Sequence, residues 1–407
     1  MKVVELFAGC GGLAMGVSRA GFIPQAVIEW DRWACDTIRE NAESGYPIVA
    51  EWPLHEGDVR GFDYSSLEGQ IDLVAGGPPC QPFSLGGKHR AQEDVRDMFP
   101  TTVDVIRRLR PKSFIVENVK GLTRSNFANY FQYTLLQLSF PEVFRRTDED
   151  MVDHLARLEK VKTSGRKPGL TYEVVCRVLN AADYGVPQKR ERVFIVGFRR
   201  DLGIDWTFPD PTHGFDSLLE DQWVSGEYWE RHEVPLKSRP TPPSRHEKRI
   251  MEIRTLNQRP SVGQKAWRTV RDALVGLPDP RDCENLPGKF HDHRHQPGAR
   301  SYPGHTGSPL DLPAKALKAG VHGVPGGENM IVLPDGTVRY LTVREAARIQ
   351  TFPDGYRFHG SWSEVMRQLG NAVPVKLAHV VASSVATKLA EHTEADFKKA
   401  ILRLARA

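Results

Sequence analysis

The sequence is poor in cysteine and has no membrane-length apolar run, and both absences narrow the class of protein. Its five cysteines, in 407 residues, are scattered and odd in number. Such a set is not the disulfide framework of a small secreted protein, and it fits a reducing compartment. No unbroken run of about 18 apolar residues is present, so we predict no membrane span. Because the N-terminus also enters a strand directly, without a signal peptide, we expect a cytoplasmic protein.

The net charge is small as well, at +4, but it is unevenly distributed. Residues 231–300 hold 15 Lys plus Arg against 8 Asp plus Glu, a local excess of +7, which leaves about −3 for the remainder. A basic segment on a near-neutral chain indicates a polyanion partner, although an ordinary charged surface has the same composition. The length and the 40% hydrophobic content allow a sizeable core and more than one domain.

The most informative feature is the segment 71–84, Ile-Asp-Leu-Val-Ala-Gly-Gly-Pro-Pro-Cys-Gln-Pro-Phe-Ser. Its apolar first part predicts a buried strand, and two glycines and two prolines end that strand in a fixed loop. Cys80 then lies at the carboxyl end of a strand, oriented as a nucleophile must be. The alternative is a small buried thiol, but the glycines and prolines around it would make a poor core.

Three further strand ends predict a nucleotide-binding site. The chain opens with a strand over 3–7, a glycine turn and a helix over 13–20, which is the start of a nucleotide-binding α/β unit. Glu29 follows Gly9 by 20 residues, the spacing at which an acid accepts ribose hydroxyls, and Trp30 is placed to cover an adenine face. Asp58 ends a third strand. Either acid alone would be interpreted as a helix cap or turn residue.

Charged groups end or follow two later strands. Glu117 closes the apolar run 113–116, where a carboxylate is costly unless it has a partner or a function. Arg190 and Arg192, at i and i+2 on an extended segment, are expected on the same face. The alternative for this pair is a charged edge strand.

Taken together, these motifs resemble those of the cytosine-C5 DNA methyltransferases. Gly-Gly-Pro-Pro-Cys-Gln-Pro-Phe-Ser is similar to the nucleophile loop of that family, and Gln-x-Arg-x-Arg at 188–192 and Gly-Asn-Ala-Val-Pro at 370–374 resemble later family motifs. The resemblance covers about 1–200 and 339–407. It implies an α/β fold: a Rossmann-like S-adenosylmethionine-dependent methyltransferase sheet with a second, smaller target-recognition domain. We therefore predict a catalytic domain over 1–208, a DNA-binding domain over 209–338 and a C-terminal return over 339–407.

The resemblance also implies a reaction and its residues. The family transfers a methyl group from S-adenosylmethionine to C5 of a flipped-out cytosine in a short duplex DNA sequence, through a covalent bond between Cys80 and C6. Glu117 would hold the base at N3 and the amine, Arg192 its O2, and Arg190 the loop. The positions implied for the cofactor are Phe7, Ala8, Gly9, Gly11, Gly12, Glu29, Trp30, Asp58, Val59, Pro79, Asn371, Ala372 and Val373.

DNA contacts are expected from the loop after Cys80 and from the smaller domain. The residues concerned are Ser84, Gly86, Gly87, Lys88, Arg90, Lys318 and His322. The segment 291–295, His-Asp-His-Arg-His, suggests a metal site, but no matching ligand set accompanies it. We therefore predict no metal and a surface or DNA-facing loop there.

Several alternatives to this interpretation remain open or are rejected on particular residues. An RNA cytosine-C5 methyltransferase would share the motifs, and a catalytically silent DNA-binding protein would share the fold. The glycine turn alone also allows an NAD-type oxidoreductase, which leaves the Cys80 loop unexplained. An amino-nitrogen methyltransferase is rejected because Gly77 and Cys80 stand where it needs an Asp or Asn and an aromatic residue. We expect duplex DNA as partner, a monomer on DNA, no membrane, and a cognate restriction endonuclease.

Overall fold

The computed structural model describes residues 1–79, 97–165, 169–255, 263–282, 290–319 and 327–404. Contacts between Cα atoms divide the chain into two compact units. Unit 1 comprises Met1–Leu179, Glu191–Pro209 and Ala378–Ala407, and unit 2 comprises Asn180–Arg190 and Asp210–Leu377. Unit 2 thus extends beyond the predicted range 209–338 in both directions, and of the predicted C-terminal return 339–407 only the segment from Ala378 onward belongs to unit 1. The assignment of DNA recognition to 209–338 stays a prediction.

Unit 1 is built on a seven-stranded sheet with helices beside it. Its seven strands are β1 (Lys2–Leu6), β2 (Ile23–Glu29), β3 (Leu54–Glu56), β4 (Leu73–Gly76), β5 (Ser113–Val119), β6 (Tyr172–Asn180) and β8 (Glu191–Arg199). The two-residue strand β7 (Gln188–Lys189) comes between β6 and β8 in sequence and belongs to unit 2. The helices of unit 1 are α1 (Gly12–Arg19), α2 (Arg32–Glu43), α3 (Phe99–Leu109), α4 (Ala128–Ser139) and α5 (Met151–Thr163). The Rossmann-like α/β class predicted from the sequence is confirmed.

The order of the strands places five of their carboxyl ends along one edge. The order is β3-β2-β1-β4-β5-β8-β6, with β1 to β5 parallel and β8 antiparallel to β5. The chain runs outward from β1 to β3 and then returns to the other side of β1 with β4. A crevice opens where the direction of strand addition reverses, and open α/β sheets bind their ligands there.

The central strands are apolar because helices cover both faces of a parallel sheet. Val4, Leu6, Ile28, Val74 and Val116 are at most 1% exposed and belong to one continuous core. Burial of this extent gives each side chain about 1.5–3 kcal/mol of transfer free energy. The core therefore fixes β1, β4 and β5, whose ends carry the motifs.

Unit 2 consists mainly of short elements, so its sequence shows little hydrophobic periodicity. Its helices are α6 (Phe215–Glu220), α7 (Glu227–Arg231), α8 (Ser244–Thr255), α9 (Val270–Leu274), α10 (Val343–Ile349), α11 (Trp362–Asn371) and the beginning of α12 (Val375–Leu404). Its strands after β7 are β9 (His213–Gly214), β10 (Lys265–Ala266), β11 (Ser308–Pro309), β12 (Ala314–Lys315), β13 (Met330–Val332) and β14 (Val338–Tyr340). Four of these helices, α6, α7, α9 and α10, have only five to seven residues, too few turns to establish a hydrophobic repeat, and the longer α8 is mostly polar.

One histidine of the histidine-rich segment of unit 2 is buried, so the predicted place on the surface or against DNA is wrong for His293. His293 is 3% exposed, and its ring nitrogens contact Thr342 Oγ1 and the Pro278 carbonyl oxygen, each at 2.9 Å. The neighbouring Asp292 accepts a hydrogen bond from the Arg344 guanidinium at 3.2 Å. These contacts secure the segment to the N-terminus of α10.

One stretch of the described residues, Trp362–Ala395, is long and apolar enough to cross a membrane by length and composition, and its most apolar 18-residue window has a mean hydropathy of 1.2. The stretch is interrupted by polar residues, so it is not an unbroken apolar run. Of that window, 61% is buried inside the protein. That burial is what the core helix of a folded domain shows.

A carboxyl group is buried without compensation in the middle of the sheet. Glu5 on β1 pairs in register with Val27 and Ala75, is 0% exposed, and its carboxyl oxygens have no hydrogen-bond partner among the described residues. Burial raises the pKa of Glu5 to about 8. The folded protein therefore keeps this proton at neutral pH, whereas the unfolded chain releases it.

We expect a Glu5→Gln variant to be more stable than the parent chain at neutral and alkaline pH. A raised pKa in the folded state means that stability is complete below the ordinary value of 4.5 and is lost as the pH rises to about 8. Each pH unit in that window costs up to about 1.4 kcal/mol. Thermal unfolding across this range should show a difference in melting temperature between Glu5→Gln and the parent chain that widens with pH. The corresponding difference for Glu43→Gln, at an exposed carboxylate, should stay constant. Parallel curves for Glu5→Gln would contradict the expectation.

Candidate active site

The loop after β1 is compact and partly strained. Phe7 has φ 55°, and Gly9 and Gly11 have φ 54° and 86°. The left-handed region is ordinary for glycine but unusual for a bulky residue, and such strain clusters at functional sites. The Ala8 N–H donates to the Ile28 carbonyl at 3.1 Å, and the Gly11 N–H donates to the Ala8 carbonyl at 2.9 Å. Gly12 is buried at the start of α1, so the turn is held from both sides.

Glu29 fastens this loop to the end of β2. One carboxylate oxygen accepts the Gly9 N–H at 2.6 Å, and the other accepts the N–H groups of Trp30 and Asp31 at 2.9 and 2.8 Å. Burial raises the pKa of Glu29, and the three backbone hydrogen bonds oppose that rise. A carboxylate has about four acceptor positions, so it retains capacity for hydroxyl donors after these three bonds.

Two neighbours complete this part of the edge. The Trp30 side chain is 72% exposed, which is unusual for a large aromatic residue and leaves its face free for a planar ligand. Asp58 accepts from the backbone and guanidinium of Arg60, at 2.8 and 2.9 Å, and these bonds lower the pKa of Asp58. Asp58 is therefore ionised at neutral pH, while the adjacent Val59 is 3% exposed and anchors the turn.

The glycine pair after β4 is required by close approach. A Cβ on Gly76 would lie 2.7 Å from the Leu6 carbonyl oxygen of β1, so a side chain would push the two strands apart. A Cβ on Gly77 would lie 3.2 Å from Glu117 Oε2. The absence of a side chain at Gly77 thus leaves room for the carboxylate next to the loop that leads to Pro79.

Glu117 forms a buried ion pair with Arg192. Arg192 Nε lies 3.0 Å from Glu117 Oε1, and the two side chains are 15% and 9% exposed. Burial lowers the pKa of Arg192, and the Glu117 carboxylate opposes that change. Beside them Asn118 Nδ2 donates to the Pro78 carbonyl at 3.0 Å, which joins the end of β5 to the loop after β4. A buried carboxyl group with an arginine partner therefore stands beside the prolines that precede Cys80.

Arg190 has a different task from Arg192. Its side chain is 0% exposed and donates to the Leu317 and Gly370 carbonyls at 2.8 and 2.6 Å, all within unit 2. It joins segments of unit 2 that are far apart in sequence. Arg190 lies between β7 and β8, whereas Arg192 lies on β8, so the two arginines do not belong to one strand. The prediction that they share a face therefore does not account for their different partners.

Buried amide side chains were missed by the sequence reasoning. Gln188 Nε2 donates to Gln350 Oε1 at 3.1 Å, and Gln188 Oε1 accepts the Leu317 N–H at 3.0 Å. Gln350 Nε2 donates in turn to the carbonyls of Leu369 and Ala372. Both glutamines are 0% exposed. Gln188 stands beside Lys189 and Gln350 caps the end of α10, so no local pattern marked either amide as buried, although a buried amide must find partners.

The remaining predicted site residues fall into two groups. In unit 2, Asn371 is exposed at the end of α11, Ala372 and Val373 form the turn to α12, and Lys318 pairs with Glu328 at 2.6 Å. The predicted residues outside the described part of the chain are Cys80, Ser84, Gly86, Gly87, Lys88, Arg90 and His322.

The described edge of unit 1 fits a nucleoside-type cofactor. It offers spare acceptor capacity on Glu29, the exposed indole of Trp30 and the ionised carboxylate of Asp58 at the next strand end. It also has open space at Gly9, where a Cβ would meet nothing within 4 Å. Among the residues that the structure describes, no group of three His, Cys, Asp or Glu side chains is placed to hold a metal ion. The edge can thus bind a ribose and an adenine.

Comparison with known proteins gives matches over most of the chain. A family model described as C-5 cytosine-specific DNA methylase matches residues 1–140 and 153–387. The chain is 34% identical over 390 residues to Type II methyltransferase M.Eco47II of Escherichia coli, covering 94% of this chain and 78% of that protein. It is 31% identical over 386 residues to Type II methyltransferase M.PspPI of Psychrobacter sp. (strain TA137), with the same coverage. The solved structure of S. pombe Dnmt2 methyltransferase gives a TM-score of 0.53 at 15% identity, covering 96% and 98% of the two chains, and shows similarity of fold.

Proposed function

The chain belongs to the C-5 cytosine-specific DNA methylase family, and we propose that Cys80, Glu117 and Arg192 carry its reaction. The protein is a DNA (cytosine-5)-methyltransferase, and S-adenosylmethionine is its methyl donor. The observation that supports these roles is the buried Glu117–Arg192 pair, 3.0 Å apart, at the end of β5. It adjoins the end of β4, from which the chain leads through Pro78 and Pro79 to Cys80.

The chemistry explains why a thiol and a buried acid are needed together. Cytosine C5 is a weak nucleophile until a thiolate adds at C6 and moves electron density to C5. Glu117 hydrogen-bonds N3 and the exocyclic amine, which favours that addition, and Arg192 donates to O2. After C5 has gained the methyl group, a base removes its proton, the electrons re-form the C5–C6 double bond, and Cys80 leaves as the thiolate.

The cofactor is proposed to lie along the ends of β1 to β4. S-adenosylmethionine supplies an electrophilic methyl group on its sulfonium sulfur. Glu29 accepts from the ribose hydroxyls, Trp30 covers the adenine, and Asp58 accepts from the adenine amine. Backbone groups of the Phe7–Gly12 loop surround the methionine part, with Pro79, Asn371, Ala372 and Val373 as further contacts. Support for this arrangement is the spare acceptor capacity of Glu29 and the exposed face of Trp30.

We expect Glu29→Ala to weaken S-adenosylmethionine binding by about 10- to 100-fold, which corresponds to one hydrogen bond to a charged group. The loss has two sources, since the ribose loses its acceptor and the Gly9 N–H loses the bond at 2.6 Å that holds the loop. Isothermal titration calorimetry of the purified protein measures the change. Glu43→Ala, at an exposed carboxylate near the end of α2, is the matched control. Equal affinities for the two variants would contradict the assignment.

The DNA target must leave the helix for this geometry to act on it, because a stacked cytosine is out of reach of a buried acid. Ser84, Gly86, Gly87, Lys88, Arg90, Lys318 and His322 are proposed to contact the duplex, and the range 209–338 to select the target sequence. We propose that the protein acts as a monomer on DNA, in the cytoplasm and beside a cognate restriction endonuclease. The support for an endonuclease is the similarity to Type II methyltransferases.

The reaction and its target can be tested in one experiment. The chain is expressed in a bacterial host that lacks cytosine methylation, and the genome is sequenced for 5-methylcytosine at base resolution. One methylated cytosine within a single short motif is the expected result, and it would identify the recognised sequence. Soluble protein without any 5-methylcytosine would contradict the function.

A further inference from the structure

Unit 2 contains a group of cations around an indole ring that no step above uses. Lys189 Nζ lies 5.9 Å from the centre of the Trp267 ring. Lys265, on β10, pairs in register with His213 on β9, and Arg268 follows Trp267 directly. Lys376, near the start of α12, donates to the Gly185 carbonyl at 3.2 Å. We call Lys189, Lys265, Arg268 and Lys376 the basic patch.

The four residues of the basic patch are exposed and form no ion pair among the described residues, whereas Arg231, Arg249 and Arg271 of the same unit each pair with an aspartate. Although Lys376 is exposed as a residue, partial desolvation of its ammonium group first, and then Arg268 and Lys265, lower the pKa of Lys376. Burial and then Lys376, Lys265 and Arg268 lower the pKa of His213 to about 4. A Cβ on Gly185 would lie 2.5 Å from both Lys376 Nζ and His213 Cε1, so these two side chains converge on one point. Lys265, Arg268 and Lys376 are therefore close enough to repel one another, and His213 stays uncharged. Such an arrangement costs free energy unless an anion binds there.

Three of the nearby acids, Asp183, Asp221 and Asp272, already have hydrogen-bond or ion-pair partners. The cleft of about 470 Å³ beside Trp267 is lined by Lys265, Arg268 and His213, and also by acids. The acids are Glu220, Asp221, Glu227 and Asp272. Asp221 pairs with Arg231 at 2.8 Å, and Asp272 accepts the Thr269 N–H at 2.8 Å as part of the capping box of α9. Asp183, at the edge of the indole ring, accepts a hydrogen bond from Trp267 Nε1 at 2.9 Å.

We propose that the basic patch binds the phosphodiester backbone of the duplex DNA substrate, with Trp267 packed against a sugar. The proposal rests on the methyltransferase function and adds residues that none of the family motifs contains, apart from Lys189 within Gln-x-Arg-x-Arg. Four separate cations fit a run of phosphates better than a single small anion. Two of them, Lys265 and Arg268, also belong to the basic segment 231–300. Contacts of this kind position the protein on DNA without reading its sequence.

The test is the salt dependence of DNA binding. Binding of the full chain to a short fluorescent duplex is measured over a series of NaCl concentrations, for a target and a non-target sequence. Lys265→Gln/Arg268→Gln should lower the slope of log affinity against log salt by about 2, since each phosphate contact contributes about 0.9. The loss should be the same for both sequences. The matched control is Lys160→Gln/Lys162→Gln, which removes two exposed cations from α5 of unit 1.

Each outcome decides the question. A reduced slope in the patch variant but not in the control supports the proposal. An unchanged slope in the patch variant, or the same reduction in the control, overturns it. A change seen with single-stranded RNA but not with duplex DNA overturns the choice of DNA. Unchanged S-adenosylmethionine binding and melting temperature verify that the variant is folded. If the parent chain binds DNA with the steeper slope but methylates nothing, the proposed function fails while the patch stands.

Discussion

Replacing Cys80 with alanine is expected to reduce methyl transfer to DNA by at least about a thousandfold, because the covalent step loses its nucleophile. Nothing else in the proposed reaction raises the electron density at C5, so the remaining groups have little to act on. Transfer of radiolabelled methyl from S-adenosylmethionine to duplex DNA measures the change. Cys176→Ala is the matched control, since that thiol is exposed on β6 and has no role in the proposal.

The same variant should bind duplex DNA and S-adenosylmethionine as the parent chain does, because its defect is chemical. A duplex that carries 5-fluorocytosine gives an independent readout. After methylation the ring bears fluorine where a proton must leave, so the Cys80–C6 bond persists and survives denaturation. The parent chain should form this adduct and Cys80→Ala should not. Turnover by Cys80→Ala, or an adduct in that variant, would exclude Cys80 as the nucleophile.

Replacing Glu117 with glutamine is expected to lower methyl transfer by about 10²- to 10⁴-fold, the usual contribution of a positioned acid. The amide keeps the size of the side chain but can no longer supply a proton or a charge to cytosine N3. Steady-state kinetics with saturating S-adenosylmethionine should place the loss in kcat, while the affinity for DNA changes little. A single-turnover measurement separates the chemical step from product release.

Glu117→Gln also removes the charge that Arg192 faces at 3.0 Å, so a loss of stability must be distinguished from a loss of chemistry. Thermal unfolding of the variant, with and without S-adenosylmethionine, makes that distinction. The control is Glu173→Gln, at an exposed carboxylate of β6 that pairs with Arg200 at 2.9 Å. A Glu117→Gln variant that is folded and as active as this control would remove Glu117 from the mechanism.

Local sequence predicted the elements of unit 1 well because their signals are short-range. The apolar runs that became β1, β4 and β5 are continuous, as strands covered on both faces must be, and their ends agree with the structure within one to three residues. Gly76 and Gly77 mark the loop because the approach to Leu6 and Glu117 excludes side chains. In unit 2 the same method found few elements, because its helices are short and its contacts join distant segments.

The sequence by itself determined the fold class, the family and the identity of the chemical groups, because each depends on residues that stand close together in the chain. The tertiary structure alone decided the partners of those groups. Arg190 and Arg192, two positions apart, bind Leu317 and Gly370 in one case and Glu117 in the other. His293 is buried against Thr342, and the basic patch unites Lys189, Lys265, Arg268 and Lys376. Such contacts join residues from about 50 to 180 positions apart, and the free energy that forms them comes from packing of the whole unit, which no local pattern encodes.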